Sequence, residues 1–384
     1  SALEGVGRCF VVFFWFFFFF TWRTQRWHAF RMNTPNVQTV MPGEIYAGDD
    51  PEGFMTRDAF VEMVEGFARR RRLPVRTDTP VFEARRGDGV GFELITPDGM
   101  IRTRAVVVAT GNLNVPRRPP SAARLAPAVT QMDGSDYREA GRLPPGAVMV
   151  VGCGNSGGQI AEDVARSARR VFLATGRNGR IPRRYRQRDI ILWLTDTGRM
   201  GRPRTTSTGR PLLGADHTIS LQSLSAKGIV MLGRFEGVDE CGLMAFAADL
   251  HDSARFADGV SAEIRREIDA YIESAGLDVP VAQPDPAETI AACFPDPPMR
   301  ALDPVAQGIS TVIWCTGFGG DFGWLRVPGA LDDQGRPCET KCVSVPGVYF
   351  AGLDTSASMK AGTILVAAEE AAHIAAHIAA HIAA

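Results

Sequence analysis

Gly152-Cys153-Gly154-Asn155-Ser156-Gly157 fits G-x-G-x-x-G. Ahead of it, Ala147 to Val151 form a continuous apolar run. Behind it, Gly158 to Ala168 carry Ile160 and Val164 on one helical face, and Val171 to Ala174 form a second apolar run. A lone glycine pattern is weak evidence. Strand, glycine turn, helix and strand within about thirty residues is the fingerprint of a dinucleotide site. The first glycine permits the tight turn, the second lets the backbone approach a pyrophosphate, and the third lets helix and strand pack closely. The helix N-terminus offers amide donors and the positive end of its dipole to the phosphates. Gly152, Gly154, Asn155, Ser156 and Gly157 are therefore the expected dinucleotide contacts.

The end of the second strand discriminates between nucleotides. NAD sites carry an acid there for the ribose 2′-hydroxyl. This chain has Thr175-Gly176-Arg177, then Arg180, Arg183 and Arg184. No acid occurs between Arg166 and Arg188, a stretch that holds nine arginines counting its ends. A guanidinium matches a 2′-phosphate through bidentate, charge-assisted hydrogen bonds. The sequence thus favours NADPH, with Arg177, Arg183 and Arg184 as candidate phosphate contacts. The alternative for the cluster as a whole is a solvated basic face.

Other chemistries leave little trace. The seven cysteines contain no CxxC or CxxxxC pair, and Cys338 and Cys342 are separated by three residues, so neither a disulfide scaffold nor a sequence-local redox dithiol is expected. His28, His217 and His251 stand alone, without zinc-ligand spacing. His373, His377 and His381 recur every fourth residue in a tetrapeptide repeat. With no accompanying carboxylate ligands they read as a helix extension, although two histidines at this spacing can bind a metal. Net charge is −1, from 42 basic and 43 acidic residues, which gives no electrostatic footprint for nucleic acid or an acidic membrane. Scattered cysteines fit a reducing cytoplasm.

The elements that must position the turn follow from pattern. A chain of 384 residues, 45% apolar, is long for one domain and natural for two. Residues 54–72 place Phe60, Val61, Val64 and Phe67 on a helical face, with Thr56 as N-cap. Residues 73–104 alternate and turn at GDG and PDG, which predicts antiparallel strands. Ala105 to Ala109 then form a buried strand ending in Thr110-Gly111. Residues 112–147 are proline-rich and read as a linker. Residues 190–260 are irregular and are expected to give substrate access, and 260–275 form an amphipathic helix. Ser310 to Cys315 and Pro346 to Leu353 form two further strands, the second running to Asp354, and a helix begins near Thr363. Cys9 to Phe20 is an unbroken apolar run of twelve residues, short of the roughly 18 that a membrane span needs. Its readings are an out-of-frame or mis-started translation, a buried strand, or a membrane anchor.

The order of these pieces resembles the class B flavin-dependent monooxygenases, the superfamily of flavin-containing monooxygenases, Baeyer–Villiger enzymes and plant indolepyruvate monooxygenases. The strings WRTQRW, NTPN, ATG, LPPGAVMVVGCGNSG, IPRRYRQRDI, CTGF and PGVYFAGL are most similar to bacterial NAD(P)/FAD-dependent oxidoreductases, from about Trp22 to Ala376. The resemblance implies an α/β fold with two dinucleotide-binding, Rossmann-like domains. The NADPH domain (119–318) is inserted in an FAD domain (1–118 and 319–384) whose first βαβ unit is truncated. It implies that Trp22, Arg23, Thr34 and Pro35 lie against the flavin, with Asn33 or Asn36 near its reactive edge as the catalytic candidates. It implies that Val81 holds the FAD adenine and that Ala109-Thr110-Gly111 and Thr316-Gly317-Phe318 are interdomain crossovers. Asp354 then faces the FAD phosphates.

The chain departs from that pattern twice. The 21 residues ahead of Trp22 contain no G-x-G-x-x-G, so weak FAD uptake is expected. Asp133-Gly-Ser-Asp-Tyr137 also stands where relatives often carry His-x-x-x-Tyr. The implied activity is an NADPH- and FAD-dependent monooxygenase that transfers one oxygen of O2 to a small molecule through a C4a-(hydro)peroxyflavin. A plain NADPH-dependent flavin reductase, and a degenerate nucleotide-binding protein lacking FAD, are the alternatives. The expected partners are a small-molecule substrate and O2, with neither nucleic acid nor membrane.

Overall fold

The computed structural model describes residues 21–89, 91–204 and 211–383. The Cys9–Phe20 run lies outside them. Helix α1 (Arg57–Arg70) starts where Thr56 accepts a hydrogen bond from the Ala59 amide at 3.2 Å, and it buries Phe60, Val61 and Val64, the face its periodicity predicts. Strands β1 (Glu83–Arg86), β2 (Phe92–Thr96) and β3 (Gly99–Thr103) form the expected antiparallel meander. Thr96 pairs with Gly99 around Pro97-Asp98. The chain leaves this sheet through β4 (Val106–Val108).

A second sheet follows, from β5 (Thr130–Asp133), β6 (Ala147–Val151), helix α2 (Asn155–Ala165), β7 (Val171–Ala174), β8 (Val230–Leu232), helix α3 (Leu250–Ala275) and β9 (Ile309–Trp314). Its order is β8-β7-β6-β9-β5 and every pairing is parallel. A parallel sheet must be covered on both faces, and β6 shows how. Val148 and Val150 enter one core with Ile160 and Val164 of α2. Ala147, Met149 and Val151 enter another with Val238, Met244, Phe246 and Leu302. The second cover is a small antiparallel sheet of residues 235–238, 244–246 and 301–302.

The chain then returns to the first region. Strand β10 (Leu325–Arg326) pairs with β1, and β11 (Val348–Phe350) lies parallel to β4. Helix α4 (Ala367–Ala383) carries the histidine repeat, with the His373 and His377 rings 4.5 Å apart. Among the described residues no helix is long and apolar enough to cross a membrane.

Three expectations need correction. The proline-rich stretch 112–147 is more than a linker, because it contributes edge strand β5. Helix α2 begins at Asn155, directly after the capping Gly154, and ends at Ala165. Helix α3 begins at Leu250, ten residues ahead of its recognisable amphipathic part.

Candidate functional site

The glycine turn lies between β6 and β9. Strands β7 and β8 continue the sheet to one side and β5 lies on the other, so the strand order reverses there and opens a crevice beyond the carboxyl ends. Each glycine has its own geometry. Gly152 has φ +102°, and a Cβ on it would come 2.5 Å from the Cys315 carbonyl oxygen. A Cβ on Gly157 would come 1.8 Å from the Gly152 oxygen, so helix and strand touch there. A Cβ on Gly154 would meet nothing within 4 Å. Gly154 is also the N-cap of α2 and no side chain caps it, leaving the first-turn amides open to an anion. Close packing at the first and third glycines and open space at the second fit a dinucleotide pyrophosphate. Asn155 contributes through its backbone, because its side-chain oxygen accepts the Leu213 amide at 3.0 Å.

Of the candidate arginines, Arg177 is the one without an acidic partner among the described residues. Arg177 is exposed in the turn after β7, whose last residue, Ala174, accepts the Gly152 amide at 2.9 Å. Its guanidinium lies 4.4 Å from the Phe256 ring centroid, and it forms no ion pair among the described residues. Arg183, 1% exposed, donates from Nη2 to both carboxylate oxygens of buried Asp189, at 2.7 and 2.6 Å. Burial draws the Arg183 pKa down and pushes the Asp189 pKa up, so the pair depends on mutual contact. Arg184 is paired to Glu52 at 2.7 Å, and Arg180 is buried between Asp258 and Glu288. Arg183 is therefore corrected from a phosphate contact to a buried structural ion pair, while Arg184 keeps a 45% exposed side chain in a surface pair with Glu52. The acid-free stretch misled because its partners come from outside it.

The flavin-side candidates fall into two groups. Asn33 sits against α2: its side-chain oxygen accepts from Gln159 at 3.1 Å and its carbonyl from Arg183 at 3.0 Å. Gln159 also donates to the Leu213 carbonyl at 2.9 Å. Asn36 is buried and donates to the Asp50 carbonyl at 2.9 Å, while its side-chain oxygen has no hydrogen-bond partner among the described residues. The Thr34 and Thr39 hydroxyls are 2.7 Å apart. Trp22 packs on Phe30 and Phe60, at 5.6 and 4.5 Å between centroids, and Arg23 pairs with Glu65 of α1. The second group gathers at the carboxyl ends of β4 and β11. A Cβ on Gly111 would lie 3.8 Å from the Gly352 oxygen, placing Ala109-Thr110-Gly111 beside the turn that leads to Asp354. Asn112 clamps the Asp354 amide and carbonyl at 2.8 and 3.0 Å, and Arg204 meets its carboxylate at 2.6 Å. Val81 is buried in the core shared with β4 and β11.

Sequence reasoning did not anticipate the partners of the groups that support these positions. Tyr137 is buried and donates to Asp163 of α2 at 2.6 Å, and Asp133 holds Arg118 at 2.6 Å. Glu162 accepts from His217 at 2.8 Å and also from Lys227. Burial alone would push its pKa up, but these hydrogen bonds hold it down to about 2. A cavity of about 320 Å³, with Trp27, Arg31, Gln159, Asp163 and His217 on its wall, separates residues 27–31 from α2. Burial pushes the Cys153 and Cys315 thiols up to about 12, so neither is a thiolate near neutral pH.

Comparison with known proteins agrees with this geometry. The profile of the pyridine nucleotide-disulphide oxidoreductase family matches residues 19–194. An uncharacterized oxidoreductase, CzcO-like, of Geobacillus kaustophilus is 28% identical over 342 residues, 86% of this chain and 80% of that protein. The flavin-containing monooxygenase of Stenotrophomonas maltophilia superposes with a TM-score of 0.62 at 16% identity, over 94% of this chain and 88% of its own. A steroid monooxygenase whose structure holds NADP superposes with a TM-score of 0.52 at 17% identity, over 94% and 78%. Residues 19–194 are thus similar to the pyridine nucleotide-disulphide oxidoreductase family, and the chain that carries them has the α/β fold of these structural neighbours.

Proposed function

We propose that the protein is an NADPH- and FAD-dependent monooxygenase that places one oxygen atom of O2 on a small organic substrate. The observation that carries the nucleotide half is the pairing of an open, uncapped Gly154 turn with an unpaired Arg177 at the end of the neighbouring strand. First-turn amides of α2 hold the pyrophosphate and Arg177 the 2′-phosphate. Gly111 and the Asn112-braced Asp354 backbone border the flavin, and Asn33, fixed by Gln159 and Arg183, presents its amide at the flavin edge. NADPH supplies the electrons and bound FAD the oxygen chemistry. We assign the NADPH domain to residues 119–318, the FAD domain to 1–118 and 319–384, and the protein to the cytoplasm.

Two features support oxygenation over disulfide reduction: the lack of any CxxC or CxxxxC pair, and the raised pKa values of the buried Cys153 and Cys315 thiols beside the turn. A plain flavin reductase is the second reading, favoured by the CzcO-like relative, which is named only an oxidoreductase. The deciding experiment supplies NADPH, FAD and ¹⁸O2 with a panel of amine, sulfide and ketone substrates. Label in an organic product supports the monooxygenase. NADPH oxidation that yields only peroxide supports the reductase.

A further inference from the structure

We infer that Phe256 of α3 is a specificity-positioning residue: its ring holds the Arg177 guanidinium in place for the nucleotide 2′-phosphate. This rests on the reading of Arg177 given above and extends the specificity site from the turn after β7 to a helix some eighty residues further on.

The backbone of the turn is fixed. The Thr175 amide and hydroxyl both donate to the Leu232 carbonyl, at 3.1 and 2.8 Å, and the Asn178 amide closes onto the Gly176 carbonyl at 2.8 Å. The arginine side chain is the part that needs ordering, since an exposed guanidinium on a flexible stem loses rotamer freedom when it grips an anion. The Phe256 ring, 4.4 Å beneath the guanidinium, supplies a cation–π face. Among the described residues no hydrogen bond or ion pair occupies the Arg177 N–H donors, and those are the groups a phosphate uses.

Helix α3 also withholds the competing ligand. Its nearest acid along the chain on the C-terminal side of Phe256 is Asp258, whose two carboxylate oxygens are taken by buried Arg180 at 2.5 Å and by the Gln222 amide at 2.9 Å. On the N-terminal side Asp252 is paired with Arg255. The helix thus offers Arg177 an aromatic support and no carboxylate. Arg188 also stacks on a ring, Trp193 at 4.6 Å, but its guanidinium is paired with Asp196 at 2.6 Å.

The test is titration calorimetry of the full chain with NADP⁺ and with NAD⁺, on wild type, Phe256→Leu, Arg177→Ala and the double variant. Leucine keeps apolar packing and removes the π face. Phe256→Leu is expected to weaken NADP⁺ binding about two- to five-fold and leave NAD⁺ unchanged. The double variant should match Arg177→Ala alone, because without the guanidinium the ring has nothing to hold. Phe256→Tyr should behave as wild type. If Arg177→Ala lowers the NADP⁺/NAD⁺ preference and Phe256→Leu does not, or if Phe256→Leu weakens both nucleotides equally, the support role is refuted. If Arg177→Ala leaves the preference intact, the reading of Arg177 itself fails.

Discussion

Replacing Gly154 with valine should separate binding from folding. The residue has φ −80° and ψ −168°, an extended conformation that valine adopts readily, and a Cβ there meets nothing within 4 Å. The stability cost is then limited to a poorer N-cap, about 0.5–1 kcal/mol, which lowers Tm by about 1–4 °C in a domain of this size. Binding is another matter. The branched side chain fills the space through which a pyrophosphate reaches the first-turn amides of α2. Hydrogen bonds to a charged group contribute about 1.5–3 kcal/mol each, so losing two weakens the nucleotide by about 3–6 kcal/mol, more than a hundredfold. Gly157→Ala is the converse control: its Cβ would lie 1.8 Å from the Gly152 oxygen, so the smaller substitution should do the greater structural damage. Thermal unfolding and calorimetric titration with NADP⁺ of both variants provide the measurement. Gly154→Val binding NADP⁺ within about threefold of wild type, well under 1.4 kcal/mol, would refute the placement of the pyrophosphate. Equal loss of stability in the two variants would refute the packing argument.

Three further outcomes are expected. Arg177→Ala should erode the preference for NADP⁺ and leave NAD⁺ affinity unchanged, read by titration of both nucleotides. Arg183→Met leaves Asp189 as an uncompensated buried acid and should cost about 3–5 kcal/mol in urea unfolding; folded protein that survives should keep its nucleotide preference, contrary to a phosphate-binding role. His217 bonds Glu162 and Asp216, and those bonds raise its pKa above the ordinary 6.5. Its contribution is therefore present below pH 6.5 and lost as pH rises through the raised value. The urea midpoint should fall between pH 6 and pH 9 in wild type and change less in His217→Gln; equal slopes would count against the contact.

The sequence was most informative where structure is local. Strand, turn, helix and strand from Ala147 to Ala174 sit within a few residues of expectation, because apolar runs and glycine spacing set them. Strand β5 was illegible: Thr-Gln-Met-Asp has one apolar residue and lies at a sheet edge, where β9 alone dictates its conformation. The first ten residues of α3 include Asp252, Arg255 and Gly259, which interrupt the stripe that becomes plain afterwards. Arg183 was misread because Asp189, its buried partner, lies one residue beyond the acid-free stretch; Glu52, the surface partner of Arg184, lies well over a hundred residues away, and only folding brings it close. Nothing in the sequence marks Phe256 as the residue beneath Arg177.

The ties of Asn33 bear on how the molecule can move. Its side chain is fastened to α2 and its carbonyl to Arg183, while Trp27, Phe30 and Phe60 pack in the same core as Ile160 and Val164. Asp354 and Gly111, by contrast, ride on β4 and β11. In any hinge rotation between the two sheets, Asn33 would therefore travel as cargo of the nucleotide sheet, keeping a constant offset from whatever rests on Gly154. The distance that opens and closes would be the one from Asn33 to Asp354, and the Arg204–Asp354 ion pair that crosses between the two regions would have to break for it to open. Such a hinge would work like a stapler, whose anvil and magazine are each rigid and whose stroke is the gap between them.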